Sequence, residues 1–164
     1  MQKAPIPEFE DERLSALKNL KLLDTDPEER FDSITKKVTQ VFSVPISTVT
    51  LIDKNREWYK SVQGLDTKEG PRETSFCGHA LTHEIVFVVE DTLKDPRFAD
   101  NPMVIGGPKI RFYVGKALYD HKSKLPVGVL CMKDYKPRKF SLNDMSKFLE
   151  IAEEAEREIN KNAS

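Results

Sequence analysis

A run of β-branched and apolar residues followed directly by a turn constrains this fold most. Residues 46–53 are apolar or β-branched on both alternating faces, which is typical of a strand buried on both sides. Residues 53–56 supply a turn, and residues 57–63 can return as the antiparallel partner of that strand. We therefore expect a sheet built from hairpins, with this strand near its centre.

Three further segments also have the composition of strands. They are residues 85–90, 110–119 and 127–134, and a polar turn at residues 120–124 joins the last two. Short turns favour antiparallel pairing of neighbouring strands. The predicted fold class is therefore α+β, with an antiparallel sheet of about five or six strands.

Helices are predicted at both ends of the chain. Residues 8–22 carry a leucine stripe, and a second helix is expected to start with a capping box formed by Asp26 and Glu29. Ser141 begins the last helix, with Asp144 three residues further on. Helices at the two ends favour packing together on one face of the sheet.

The connection over residues 91–109 is much longer than the usual ~4–6 residues. It holds three prolines and a Gly-Gly pair, so it cannot be one regular element. Residues 65–75 are also polar and irregular. Long ordered connections of this kind are typically lids or binding loops. We expect these segments to cover the sheet face opposite the terminal helices and to enclose a small molecule there.

Composition excludes several classes of function. The 26 Lys and Arg residues balance 27 Asp and Glu residues, so the chain lacks the basic footprint of a nucleic-acid or membrane-surface protein. No apolar run approaches the ~18–20 residues that span a bilayer, and no secretory signal is present. Two cysteines are too few for a disulfide scaffold. These features predict one cytoplasmic domain over residues 1–164, with a core at about residues 14–159 and a flexible segment at residues 1–10.

Three stretches, in this order, resemble the bacterial GAF domain family. They read LLDTDPEERFDSITKKVTQVFSVPISTVTLIDKNREWYKS, GLDTKEGPRETSFCGHAL and DTLKDPRFADNPMVIGGPKIRFYVG, and the similarity runs from about Leu14 to Ile159. The branch in question stands at the N-terminus of many histidine kinases and diguanylate cyclases, and also occurs alone. The resemblance implies a PAS-like sheet, a small-molecule pocket under the irregular segments, and homodimerisation through the terminal helices. It also implies a kinase or cyclase output domain or partner.

The function that the resemblance implies is sensory and regulatory rather than enzymatic. Such a domain binds a small molecule or senses redox state, and it signals through its terminal helices. The sequence shows no nucleophile–base pair, phosphate loop or convincing metal spacing, and it predicts neither the ligand nor a cofactor. Two alternatives stay open. One is a thiol-dependent reductase of free methionine-(R)-sulfoxide, and the other is a dimerisation module whose pocket is filled by its own Phe and Tyr side chains.

Eight residues in or beside the irregular segments are pocket candidates. They are Trp58, Tyr59, Phe76, Cys77, His79, Phe98, Arg111 and Tyr113. Aromatic rings of this kind can hold an apolar or heterocyclic ligand, and an arginine can fix an anionic group. For Arg111, however, a structural ion pair is the favoured interpretation. Its available partners are Glu90, Asp95 and Asp100.

The cysteines and histidines allow two interpretations. Cys77 lies at the start of a predicted short helix at residues 76–83, where free N–H groups favour the thiolate and lower its pKa. The favoured interpretation is nonetheless a small packing side chain, with a sensing thiol as the alternative. Cys131 is predicted in the core. His79 and His83 are four residues apart but lack a third ligand, so no metal site is predicted.

Two further positions carry expectations. Lys116 precedes Ala117 where many GAF relatives have Ala-Pro, and it is expected to place a charge beside the pocket. In the last helix, Phe148 and Ile151 widen the apolar stripe beyond what one neighbour requires. The widened stripe is consistent with contact to a second subunit.

Overall fold

The chain forms one six-stranded antiparallel sheet with helices before, within and after it. The computed structural model describes residues 1–161, so the last three residues of the predicted domain lie outside the described part. The helices are α1 (Glu10–Asn19), α2 (Glu29–Phe42), α3 (Phe76–Ala80), α4 (Pro102–Ile105) and α5 (Leu142–Asn160). The strands are β1 (Ile46–Ile52), β2 (Arg56–Gln63), β3 (Glu69–Pro71), β4 (Val86–Val89), β5 (Phe112–Tyr119) and β6 (Pro126–Asp134).

The strand order in the sheet is β3-β2-β1-β6-β5-β4. The predicted central strand is confirmed, because β1 lies between β2 and β6 and all seven of its residues are buried. The two predicted hairpins are also confirmed as β1–β2 and β5–β6. The sequence analysis missed β3, a three-residue edge strand within the segment that was predicted to be irregular.

The two faces of the sheet carry separate hydrophobic cores. Helices α1, α2 and α5 pack on one side, which we call the helix face. The other side, which we call the roof face, is covered by α3 and by the connection at residues 91–109. Strand β1 shows the division, since Val49 and Leu51 belong to the first core while Ile46 and Ile52 belong to the second. The predicted unequal covering of the sheet is confirmed.

Of the two predicted capping boxes, the structure contains the one at α5 but not the one at α2. At α5 the predicted capping box is confirmed, with Asp144 N–H donating to the Ser141 hydroxyl and Ser141 N–H to the Asp144 carboxylate, both at 3.0 Å. The predicted box at α2 is wrong, because the helix begins two residues later than that box requires, at Glu29. The Asp26 carbonyl oxygen instead accepts a hydrogen bond from Lys60 Nζ, which ties this segment to β2.

The chain ends differ from the expectations in two respects. Phe148 and Ile151 are buried within this chain, so the widened stripe of α5 is explained without a second subunit. At the other end, Gln2 N–H donates to the Arg97 carbonyl oxygen, and Ala4 N–H donates to that of Glu73, each at 3.0 Å. The segment predicted to be flexible is therefore tied to the roof face at its first residues. Over residues 1–161, none of the helices has the length and apolar character needed to cross a bilayer.

Candidate functional site

The connection at residues 91–109 lies across the sheet and forms a roof. Phe98, Val104 and Ile110 are buried in the core of the roof face. Asn101 fixes the middle of the roof, because its side-chain amide donates to the Thr74 carbonyl oxygen at 2.9 Å. The long segment is thus an ordered cover held against the strands, as the sequence predicts.

Aromatic rings fill much of the space beneath this roof. Phe76 stacks on Phe98 with ring centroids 4.5 Å apart and on Tyr113 at 5.1 Å. Phe87 packs edge-on against Phe98 and Tyr113 at 6.0 and 6.1 Å. This is the arrangement expected of a module with a filled pocket, so any ligand at this face must displace side chains or bind beside them.

A polar cluster lies on the roof face next to these rings. Its members come from four strands and from α3, and all are buried. They are Thr48, Thr50, Glu57, Tyr59, Cys77, Tyr113, Cys131 and Lys133. Strand register explains the gathering, because cross-strand partners point to the same face. Three such pairs belong to the cluster: Thr48 with Cys131, Thr50 with Tyr59, and Tyr113 with Lys133.

Hydroxyl groups surround the two thiols of the cluster. Tyr113 donates its hydroxyl proton to Cys77 Sγ at 3.1 Å, and Cys77 donates to Thr50 Oγ1 at 3.8 Å. The Thr48 hydroxyl lies 3.0 Å from Cys131 Sγ and 2.6 Å from the Thr50 hydroxyl. The two sulfur atoms are therefore joined by a continuous path of hydrogen-bonding groups.

Two charged side chains are buried in the cluster without full pairing. Lys133 is 0% exposed and its Nζ atom makes no hydrogen bond, while Glu57 is 2% exposed and its Oε1 atom has no partner. The Lys133 ammonium lies 5.9 and 6.0 Å from the ring centroids of Phe76 and Tyr113, where cation–π attraction compensates only part of its lost hydration. Leaving a buried charge without a partner costs several kcal/mol.

The cluster shifts the pKa values of its acids and thiols. Burial raises the pKa of Cys77 well above its usual value, against the lowering expected from its place at a helix start. Helix α3 has only five residues, and its N–H groups do not offset the burial of the sulfur. Burial also opposes ionisation of Cys131. The hydrogen bond from Cys77, the charge of Lys133 and the Thr48 hydroxyl outweigh that burial and lower the pKa of Cys131 to about 7.

The other two charged members shift in the same direction as each other. Burial raises the pKa of Glu57, and the charge of Lys133 offsets only part of that rise. For Lys133 burial works against the ammonium, but the surrounding acids and thiols raise its pKa. Lys133 therefore stays protonated.

The structure brings together most of the eight pocket candidates. Tyr59, Cys77 and Tyr113 belong to the polar cluster, and Phe76 and Phe98 form its aromatic wall. The remaining three candidates lie outside the polar cluster. His79 packs edge-on against Phe98 of the aromatic wall with ring centroids 4.8 Å apart, and its Nε2 atom lies 3.1 Å from the Gln2 carbonyl oxygen.

Trp58 and Arg111 do not reach the cluster. Trp58 belongs to the core of the helix face, because it alternates with its neighbour Tyr59 along β2. The predicted ion pair of Arg111 is also wrong. Its guanidinium donates to the carbonyl oxygen of Val104 at 2.8 Å, and it thereby stiffens the end of the roof. The acids proposed as its partners are engaged elsewhere, as shown by Asp95, which pairs with Arg97 at 2.7 Å.

The charged members of the cluster were missed by the sequence analysis. Lys116 was expected to place a charge beside the pocket, but it pairs with Val86 of the helix-face core. Burial there lowers its pKa, and the charge of Glu156 on α5 offsets part of that shift. The charge on the roof face comes from Lys133 instead. Strand alternation is the signal that could have found it, since Lys133 stands two residues after Cys131 and must share its face.

Two observations bound the chemistry of the site. Within residues 1–161, no group of three or more His, Cys, Asp or Glu side chains is arranged to hold a metal ion. A surface cleft of about 410 Å³ lies beside the roof. Its lining residues are Glu90, Asp91, Lys94, Pro137, Arg138 and Lys139, none of which belongs to the polar cluster.

The fold and the site together define a class of protein. An antiparallel sheet with helices on one face and a roofed, charged cluster on the other defines an α+β domain. The chain belongs to the GAF domain family, whose model matches residues 26–159. This match confirms the resemblance noted from the sequence. GAF domains are generally sensory and regulatory.

Known proteins agree with this assignment. Over 138 residues, 84% of this chain, the sequence is 40% identical to a cyclic di-GMP phosphodiesterase of Pseudomonas aeruginosa. The chain spans only 23% of the length of that relative. Bacterial origin is consistent with this match.

Solved structures show the same fold at low sequence identity. A free methionine-R-sulfoxide reductase of Neisseria meningitidis, in complex with its substrate, superposes with a TM-score of 0.65 at 16% identity, covering 100% of this chain and 99% of that one. The GAF domain of an Acinetobacter phosphoenolpyruvate-protein phosphotransferase gives 0.63 at 16% identity, covering 90% and 92%. At these identities the likeness shows the fold alone.

Proposed function

We propose that this chain is a regulatory sensory domain that binds a small molecule with an anionic group at the polar cluster. The observation that carries the proposal is Lys133, a fully buried ammonium on the roof face that has no hydrogen-bond acceptor. An anionic group placed beside its Nζ atom would supply the missing acceptor. Glu57, also buried with a free oxygen, would accept from a donor on the same molecule.

A pure dimerisation module does not account for these charges. A pocket filled with Phe and Tyr rings explains the aromatic wall but not the charges. Apolar side chains in place of Lys133 and Glu57 would fill the same space with less loss of folding free energy. A buried lysine without a partner instead favours a site that is completed by something from outside. Entry requires the roof at residues 91–109 to shift, since the rings beneath it are closely packed.

Ligand binding can be tested on the purified chain in two stages. Native mass spectrometry first reports any molecule that co-purifies. Thermal unfolding is then measured with L-amino acids, dicarboxylates and nucleoside phosphates. A ligand at a hundred times its Kd contributes about 2.7 kcal/mol, which raises Tm by about 5–10 °C for a domain of this size.

A matched pair of variants separates binding at the cluster from binding elsewhere. Lys133→Met should abolish the rise in Tm, because the buried positive charge is lost. Lys116→Met should retain it, because that lysine lies on the helix face of the same sheet. If no probe raises Tm and nothing co-purifies, or if Lys133→Met still responds, the proposal is wrong.

The enzymatic alternative has its own test. We expect the chain to show no thiol-dependent reduction of free methionine-(R)-sulfoxide, because the connection at residues 91–109 holds no cysteine and the pKa of Cys77 is raised. Turnover with dithiothreitol or thioredoxin that is lost in Cys77→Ser would establish the reductase instead. The isolated chain is likewise expected not to hydrolyse cyclic di-GMP, and hydrolysis would contradict a purely regulatory role.

We further propose that the signal leaves through the terminal helices, in a homodimer and toward a kinase, cyclase or phosphodiesterase output. Helices α2 and α5 pack side by side, and each exposes an apolar residue, Val41 (48% exposed) and Leu142 (84% exposed). Light scattering after size exclusion should show a dimer that Leu142→Glu weakens. A monomer at all concentrations would refute the dimer.

A further inference from the structure

We propose that Cys77 and Cys131 form a reversible intramolecular disulfide when the protein meets hydrogen peroxide, with Cys131 reacting first and Cys77 resolving the intermediate. This inference concerns the polar cluster but requires no bound small molecule. It can therefore fail while ligand binding at Lys133 stands, and the reverse is also true.

The placement of the two residues carries the proposal. Cys131 lies on β6, opposite Gly115 of the neighbouring strand β5. Because this glycine has no side chain, the ring of Tyr113 folds over it, and an added Cβ would stand 2.3 Å from the tyrosine hydroxyl oxygen. That hydroxyl contacts Cys77 Sγ at 3.1 Å. The Cys77 thiol therefore lies close to the Gly115–Cys131 pair. Its S–H group donates to Thr50 Oγ1, and the Thr50 hydroxyl is linked through that of Thr48 to Cys131 Sγ.

The two thiols differ in their surroundings, and this difference sets the order of reaction. Cys131 has a hydroxyl at 3.0 Å, from Thr48, and shares the buried space with the Lys133 ammonium. Both features stabilise a thiolate, which is the reactive form of cysteine. For Cys77, burial and then the neighbouring Cys131 and Glu57 raise the pKa, so this thiol stays protonated. Cys131 is accordingly the nucleophile, and Cys77 is the proton-carrying partner.

The chemistry balances in two steps. The Cys131 thiolate attacks one oxygen of hydrogen peroxide, the O–O bond breaks, and the departing hydroxide takes a proton to become water, leaving a sulfenic acid on Cys131. The sulfur of Cys77 then attacks the sulfenic sulfur, the S–O bond breaks, and a second water leaves with the Cys77 proton. Two thiols are oxidised by two electrons, and one peroxide is reduced to two waters. A dithiol reductant reverses the bond by exchange.

The disulfide would change the roof face at a defined place. It joins α3 to β6 covalently, and it removes the thiol that Tyr113 now contacts. Tyr113 belongs to the stack with Phe76 and also packs against Phe87, so the change reaches the aromatic wall beneath the roof. Oxidation and ligand binding would thus act on the same part of the molecule by different means.

The test uses the full chain, reduced and freed of reductant, then exposed to hydrogen peroxide near pH 7. After unfolding, free thiols are alkylated with N-ethylmaleimide and the intact mass is measured. The expected product has lost about 2 Da, takes up no maleimide, and regains both thiols with dithiothreitol. Peptide mapping should find the two cysteines in one cross-linked pair.

Two variants test the order of reaction. Cys77→Ser should accumulate a sulfenic acid at residue 131 that dimedone traps, whereas Cys131→Ser should oxidise at Cys77 at least about fivefold more slowly. The proposal is overturned if both thiols of the wild-type protein can still be alkylated after a peroxide treatment that oxidises free cysteine. It is also overturned if the only disulfides found join two chains. Faster oxidation of Cys131→Ser than of Cys77→Ser would overturn the assigned order. If either serine variant fails to fold, dimedone mapping of partly oxidised wild type decides the order instead.

Discussion

Lys133→Met provides the sharpest test of the electrostatics of the polar cluster, through the reactivity of Cys131. The pKa of Cys131 is about 7, against an ordinary value of 9.0, and Lys133 is one of the groups that lower it. Loss of the ammonium should therefore raise this pKa, and a rise of about 2 to the ordinary value serves as the worked case. At pH 7 the thiolate fraction then falls from about one half to about 1%, a drop of roughly 50-fold.

The remaining thiolate is a stronger nucleophile, and this offsets part of the drop. A Brønsted slope of about 0.4–0.5, as found for thiolate attack on disulfides, gives about an eightfold gain over a pKa rise of about 2. Oxidation of Cys131 in Lys133→Met should therefore be about sixfold slower at pH 7 but about sevenfold faster at pH 10, with the two rate profiles crossing near pH 8. The assay is the initial rate of Cys131 oxidation between pH 6 and pH 10, followed by peptide mass after alkylation. Both cysteines are kept, because Cys77 also lowers the pKa of Cys131.

The crossing of the profiles separates an electrostatic effect from a loosened structure. A variant that merely opens more often would oxidise faster at every pH. Lys116→Met, on the opposite face of the sheet, should follow the profile of its parent. The reasoning is refuted if parent and Lys133→Met share one apparent pKa near 9, because the thiol would then react only after leaving the cluster.

Three further predictions test the fold around the site. Ser141→Ala removes the capping box of α5 and should lower the free energy of unfolding by about 1 kcal/mol in urea titrations. Gly115→Ala places a methyl group 2.3 Å from the Tyr113 hydroxyl and should cost about 1–3 kcal/mol, measured in the same way; an unchanged midpoint would show that the ring moves freely. Burial lowers the pKa of His79, so the unfolded chain takes up a proton as the pH falls below about 6.5 while the folded chain does not. Between pH 7.5 and pH 5.5 the free energy of unfolding of the wild type should therefore fall more than that of His79→Gln. An equal fall in the two proteins would refute this.

The sheet was predictable because its signals are local. The run of β-branched residues in β1 and the turns beside it determine hairpin pairing, and the alternation of side chains assigns each residue to a face. Strand β3 could not be predicted in this way, since its three residues carry no hydrophobic pattern and are ordered only by pairing with β2. The start of α2 was misplaced because Lys60, distant in sequence, takes the backbone carbonyl of Asp26.

The candidate site was only half predictable for a similar reason. The aromatic wall follows from composition, but Trp58 and Tyr59 are adjacent on one strand, so only one of them can face the roof. Lys133 and Glu57 look like surface charges in the sequence, because charged residues are seldom fully buried. Their burial depends on α3 and on the roof, which cover them from distant parts of the chain.

Strand β6 offers a physical route from the cluster to the helices. Cys131 lies on the roof face, while Leu130 and Met132 alternate with it and belong to the core that α1, α2 and α5 share. A charge neutralised at Lys133, or a bond formed at Cys131, therefore acts on the same backbone that supports the helix face. Because closely packed cores transmit small displacements rather than absorb them, even a slight rotation of β6 must be accommodated by the helices. The proposed sensing groups and the core beneath the proposed output helices thus lie on opposite faces of one strand.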